Sequence, residues 1–112
     1  MTRVAVLPGD GIGREVVPAA VDVLADLGLG LEFESFDVGA ERFLATGHAL
    51  PDDEFADVCA ADAVLLGAIG DPRISDPRYT AQVLTRLRSG LDVYANVRPA
   101  RLFADRLTPL RA

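Results

Sequence analysis

Two arginines ten residues apart, Arg88 and Arg98, carry the most suggestive chemistry in this sequence. Arg presents a planar fork of donors that grips a carboxylate bidentately, which Lys cannot do. Arg88 closes a helix-like stretch that also holds Leu84, four residues earlier and so on the same helical face. Arg98 closes the strand-like run Asp92–Arg98, in which Asp92, Tyr94, Asn96 and Arg98 alternate with Val93, Ala95 and Val97. Two guanidinium groups, one from a helix end and one from the next strand, suit a small dianion such as a dicarboxylate. Leu84 beside them offers an apolar contact. Arg86 points off the Leu84–Arg88 face and is expected to be an ordinary surface charge.

A second feature is the glycine turn Gly9-Asp10-Gly11-Ile12-Gly13 between a strand and a helix. The dinucleotide fingerprint G-x-G-x-x-G needs a third glycine three residues after the second, to let helix and strand pack closely. Here that position is Arg14, and the second strand ends without a clear acid to hold a ribose. The spacing alone therefore gives a tight turn in which glycine supplies positive φ.

These residues need elements to position them. Val4–Leu7 reads as a buried strand, and Val17, Ala20, Val21, Leu24 and Leu27 as a helix closed by Gly28 and Gly30. Pro18 falls near the start of that helix; within about the first turn it should cost little, and deeper it would kink the helix. Leu31–Asp37 alternates as a strand. A short helix is expected over Ala40–Ala45 and another from Pro51, whose acids Asp52, Asp53 and Glu54 suit a helix start. Ala63–Gly67 reads as a buried strand, 71–77 as a loop, Tyr79–Ser89 as a helix and Asp92–Arg98 as a final strand stopped by Pro99. The order βαβ(α)αβαβ predicts an α/β fold with a largely parallel sheet and flanking helices. After Pro99 the pattern weakens, which suggests an incomplete unit.

Composition bounds the function. The chain has 112 residues, 50% hydrophobic and 25% charged, with a net charge of −6. No basic patch favours nucleic acid, and no apolar run reaches the ~20 residues of a membrane span. The lone cysteine, Cys59, reads as a small buried residue, and a chain without an internal disulfide fits the cytoplasm. His48 sits in a turn-like stretch and is expected to be exposed. All eleven basic residues are Arg, so no Lys is present to serve as a general base.

The run Val4-Ala5-Val6-Leu7-Pro8-Gly9-Asp10-Gly11-Ile12-Gly13 resembles the opening of the isocitrate/isopropylmalate dehydrogenase family, with Arg14 where Pro is common. Leu84-Thr85-Arg86-Leu87-Arg88 and Val97-Arg98-Pro99 resemble the family's substrate-binding segments. Asp37-Val38-Gly39, Thr46-Gly47, Leu50-Pro51 and Val64–Pro72 match its isopropylmalate-type branch. The resemblance covers residues 3 to about 105. It implies a non-Rossmann fold and a homodimeric, cytoplasmic enzyme. That enzyme would use NAD and Mg²⁺ or Mn²⁺ for oxidative decarboxylation of 3-isopropylmalate in leucine biosynthesis. It implies Arg88, Arg98 and Leu84 at the substrate, and Ile12, Gly70 and Asp71 at the cofactor. Ala81 stands where many isopropylmalate enzymes carry a cofactor-contacting Glu.

The resemblance also implies that the metal ligands, a third substrate Arg and a Lys–Tyr acid–base pair lie beyond residue 112. The chain would then be the N-terminal part of the first domain of a longer two-domain enzyme. Leu84 favours an alkyl group over a third carboxylate, since an apolar wall leaves a carboxylate unsolvated. Malate-, tartrate- or homoisocitrate-type substrates remain alternatives, as does a non-catalytic, anion-binding α/β module.

Overall fold

A computed structural model describes residues 1–110; Arg111 and Ala112 lie outside the described residues. Three parallel strands form the sheet: β1 (Thr2–Gly9), β2 (Leu31–Ser35) and β3 (Ala63–Ala68), in the order β2-β1-β3. In register, Val6 of β1 lies between Ser35 of β2 and Leu65 of β3. The chain thus winds from β1 to one side through helix α1 (Gly13–Asp26), then crosses to the other side of β1 through α2 (Ala40–Thr46) and α3 (Asp52–Cys59).

From Val4 onward the central strand is apolar because both of its faces are covered, as parallel sheets require. Side chains alternate across a strand. Val4 and Val6 therefore pack with Val17 of α1 and the partly buried Val21, Leu31, Phe33 and Leu65. Ala5 and Leu7 face the larger core, with Phe36, Val38, Leu50, Val58, Tyr79 and Val83. Fully burying a side chain of this kind contributes about 1.5–3 kcal/mol, and Leu7, Val58 and Val83 are wholly inaccessible.

The glycine turn works differently from the dinucleotide fingerprint. The glycine that lets α1 sit close to the sheet is Gly13. A Cβ there would lie 2.0 Å from the Pro8 carbonyl oxygen and 2.7 Å from the Ala68 nitrogen. Gly11, at φ 48°, supplies the left-handed turn. Pro18 lies inside α1, beyond its first turn.

Three expectations are corrected. The second strand ends at Ser35, so Asp37 stands past it, in the connection to α2. The last helical stretch starts at Pro77 and is not uniform. It runs as α4 (Pro77–Thr80), a π-helical turn (Ala81–Thr85) and α5 (Arg86–Gly90). The largest correction is the expected strand Asp92–Arg98, which is irregular and exposed: Tyr94 is 98% and Val97 82% accessible. Alternation marks a segment able to pair, but a strand exists only when its N–H and C=O groups find a neighbouring ladder. None of the three described strands pairs with this segment. Asp92, at φ 51°, turns the chain out of α5 instead.

Gly13→Ala should destabilise the chain by roughly 1–3 kcal/mol through overpacking against Pro8 and Ala68. A urea unfolding midpoint equal to that of the wild type would contradict the close approach.

Candidate functional site

In open α/β sheets ligands bind beyond the carboxyl ends of the strands, where successive strands depart to opposite sides. Here that place is the crevice between the ends of β1 and β3, because β2 and β3 flank β1 on opposite sides. One carboxylate organises it. Asp10, the first residue after β1, is only 5% exposed. Its backbone N–H donates to the Ala68 carbonyl at 2.6 Å. Its Oδ1 accepts the Ala40 N–H at 2.7 Å, at the start of α2, and its Oδ2 accepts the Gly70 N–H at 2.8 Å. The Tyr79 hydroxyl also donates to Oδ2. Gly39 permits the approach, since a Cβ there would lie 2.5 Å from Oδ1.

Tyr79 is almost wholly buried, with its ring tilted against Phe43 at 5.2 Å. Burial first, and then the hydrogen bond to Asp10, push its hydroxyl above the ordinary value of 10.0, so it remains a donor at neutral pH.

Above Asp10 opens a cleft of about 250 Å³ lined by Asp10, Gly11, Arg14, Glu41, Asp71 and Arg73, among others. Arg73 lies against Asp71, with Nη2 2.8 Å from Oδ2, and also donates to Glu41. The Arg73 side chain, and then its backbone N–H, hold the Asp71 carboxyl down at about 2. This is a solvent-screened pair that shapes the rim and adds little stability. Arg14 donates from Nε to the Gly9 carbonyl at 3.1 Å and lines both this cleft and a neighbouring one of about 430 Å³.

The residues expected from sequence fall into two groups. Asp71 lines the cleft at the β1–β3 crevice, and Gly70 donates to Asp10 there; Ile12, 60% exposed just before α1, follows the lining residue Gly11 but is outside the lining itself. Leu84 lies on the π-helical turn, half-buried, next to the inward-facing Val83 and Leu87. Arg88 is exposed and lines a separate cleft of about 300 Å³ with residues 93–97. Arg98 lies outside that lining, and its Nε donates to Asn96 at 3.2 Å. The ordered strand expected to present Arg98 is not formed among the described residues.

The expectation for Arg86 as an ordinary surface charge is also corrected. It is half-buried: it donates to the Leu50 carbonyl at 2.9 Å and to Asp52 at 2.6 Å, and its guanidinium lies 3.9 Å above the Phe55 ring. It pins α3 to the last helical stretch.

Sequence reasoning missed Asp10 and Tyr79. An acid between two glycines at a strand end was the only local signal. Among the described residues, no group of three His, Cys, Asp or Glu side chains could hold a metal. Among them too, no helix is long and apolar enough to cross a membrane.

A parallel sheet wound to both sides of its first strand, with a glycine turn and a buried acid at the crevice, defines a doubly wound α/β architecture. Comparison with known proteins narrows it. Residues 3–112 match the family described as isocitrate/isopropylmalate dehydrogenase. The chain is 47% identical over 111 residues to a 3-isopropylmalate dehydrogenase of Bifidobacterium longum subsp. infantis, covering 96% of this chain and 32% of that protein. It is 48% identical to the enzyme of that name from Rhodococcus erythropolis, covering 98% and 33%. A solved structure of a β-decarboxylating dehydrogenase from Thermococcus kodakarensis superposes with a TM-score of 0.70 at 39% identity, over 82% of this chain and 27% of that one. The chain belongs to the isocitrate/isopropylmalate dehydrogenase family. It spans about a third of the length of the relatives it matches.

Two outcomes follow from this geometry. Arg86→Lys keeps the charge but loses the planar contact with Phe55 and one of the paired donors. It should cost about 1 kcal/mol and lower the melting temperature by about 4 °C; an unchanged melting temperature would refute the anchoring role. Tyr79 contributes stability that is complete below pH 10 and drains away as pH rises from there through its raised folded value. Thermal unfolding at pH 8 and pH 11 should therefore show a smaller alkaline loss in Tyr79→Phe than in the wild type. Equal losses would place the titration elsewhere.

Proposed function

We propose that this chain is the N-terminal part of the first domain of a longer two-domain enzyme. That enzyme oxidatively decarboxylates 3-isopropylmalate with NAD, as a homodimer in the cytoplasm, in leucine biosynthesis. The observation that carries the reading is the ordered match over residues 3–112 to proteins named 3-isopropylmalate dehydrogenase, with Leu84 and Arg88 kept on one helical stretch.

The proposed roles follow from the chemistry of each group. Arg88 and Arg98 hold the carboxylates of the substrate, once the segment 92–98 acquires a strand neighbour and turns Arg98 toward Arg88. Leu84 meets the alkyl group. An apolar contact discriminates by only about 1–3 kcal/mol, so it favours isopropylmalate over smaller malates without excluding them.

The crevice at Gly70, Asp71 and Ile12 suits NAD. It lies at the switch point of the sheet, and a Cβ at Gly11 would meet nothing within 4 Å, so the backbone is open to a ligand. Bound NAD would accept the hydride. The described residues do not fit the divalent metal: they provide no ligand set, and the metal belongs to parts of the protein outside these residues. The Lys of the family's acid–base pair belongs there as well, since the chain has no Lys.

The reading is tested by following the genomic frame past Ala112 and assaying both products. The 112-residue chain should show no turnover with isopropylmalate, NAD and Mg²⁺ or Mn²⁺, and the longer product should turn over. A stop codon after Ala112, or turnover by the short chain, would overturn it. In the longer enzyme, Arg88→Lys should lower kcat/KM by roughly ten- to a hundred-fold, the cost of one charge-assisted hydrogen bond. Leu84→Ser should shift the kcat/KM ratio from isopropylmalate toward D-malate. An unchanged ratio would remove Leu84 from the alkyl pocket.

A further inference from the structure

The Asp10 carboxylate is unusual in this chain because its hydrogen bonds join elements rather than serve one of them. Its partners Ala40, Gly70 and Tyr79 lie 30, 60 and 69 residues away, at the start of α2, in the connection after β3, and on α4. A carboxylate has roughly four acceptor directions, and three are used. At 5% exposure little of it remains for a ligand. The two segments it joins to the glycine turn are those that border the crevice: Ala40 and Glu41 on one side, Asp71 and Arg73, just after Gly70, on the other.

We infer that Asp10 is a positioning residue for the nucleotide crevice, its carboxylate holding the 68–71 turn and the start of α2 against the 9–13 turn so that Ile12, Gly70 and Asp71 address one ligand. The nucleotide part of this statement rests on the reading above; the positioning of the turn does not. Asp10 acts through Gly70 and Ala40 and need not touch the ligand. Without it, the Gly70 and Ala40 N–H groups and the Tyr79 hydroxyl lose a shared acceptor. The Asp10 N–H to Ala68 carbonyl bond then still holds the end of β3 to the glycine turn, but not the connection that follows it.

The test uses Asp10→Asn, which keeps the shape but replaces one acceptor oxygen with an amide NH2 group that only donates. With acceptors needed on both sides of the group, at least one backbone N–H must then face a donor. Amide exchange is followed by NMR on the 112-residue chain, and NAD⁺ is titrated into wild type and variant. Exchange at Gly70 or Ala40 should quicken by about tenfold or more relative to the β1–β3 ladder, for example Val6 and Leu66. Half-saturation of the NAD⁺-induced shifts at Ile12, Gly70 and Asp71 should need about tenfold more NAD⁺.

A common change at all amides, or no change, would overturn the inference, because Asp10 would then serve only global stability or nothing. If the wild type shows no NAD⁺-induced shifts while the local exchange effect holds, the nucleotide reading fails and the positioning of the turn stands. Should Asp10→Asn not fold, Tyr79→Phe decides. That variant leaves the carboxylate to accept from Gly70, so protection at Gly70 should stay within about threefold of wild type relative to the ladder. A tenfold loss there would show that the helix, rather than the carboxylate, holds the turn.

Discussion

Taking a carboxylate out of water is costly unless its oxygens are met by donors, and in a protein interior those donors must be fixed in place. Asp10 meets this requirement with three donors from three elements that share no local sequence. The constraint works in both directions. The acid stays buried only if α2, the connection after β3 and α4 arrive together, and those segments gain a common origin only if the acid is there. Such a network rigidifies when complete and is disruptive when one member is lost. The tight setting of Gly39 and Gly13 follows from the same demand, since both let the chain approach the end of β1 more closely than any side chain would allow.

What the sequence revealed, and what it concealed, divides along the same line. β1 was legible because a strand covered on both faces reads as an apolar run; β3 was legible as a strand too, but the expected full burial is corrected, since at the sheet edge Ala63 is exposed and the rest of β3 only half-buried. The parallel α/β arrangement followed from alternating strand and helix patterns. Asp10 was not legible, because nothing near it in the chain announces partners 30 to 69 residues away. Arg86 was misplaced for a related reason. Helical phase puts it off the Leu84–Arg88 face, but it does not reveal that Phe55 and Asp52 occupy the other side. The π-helical turn at 81–85, carrying Leu84, was equally invisible to a reading at constant helical period.

The segment after α5 shows the limit of pattern reading most clearly. Its alternation is as regular as that of a strand, yet Val93, Tyr94 and Val97 are exposed, and further along Leu102, Phe103 and Leu107 are exposed as well. Alternation encodes which faces differ, while pairing depends on a neighbour that the described residues do not provide. On the crevice side, by contrast, Gly70 and Asp71 are tied through Asp10 and Arg73 to elements already in place. The two halves of the candidate site thus differ in how much of their geometry this stretch of chain determines on its own.

Hydrogen exchange of the unmodified chain tests the central claim most directly. Gly70 lies in a connection outside the β-ladder, where an amide would ordinarily exchange nearly as fast as in an unfolded chain. If Asp10 organises the end of the sheet, the Gly70 N–H and the Ala40 N–H should exchange on the slow timescale of the β1–β3 ladder. Exchange at both positions as fast as in the exposed 93–97 segment would contradict the account.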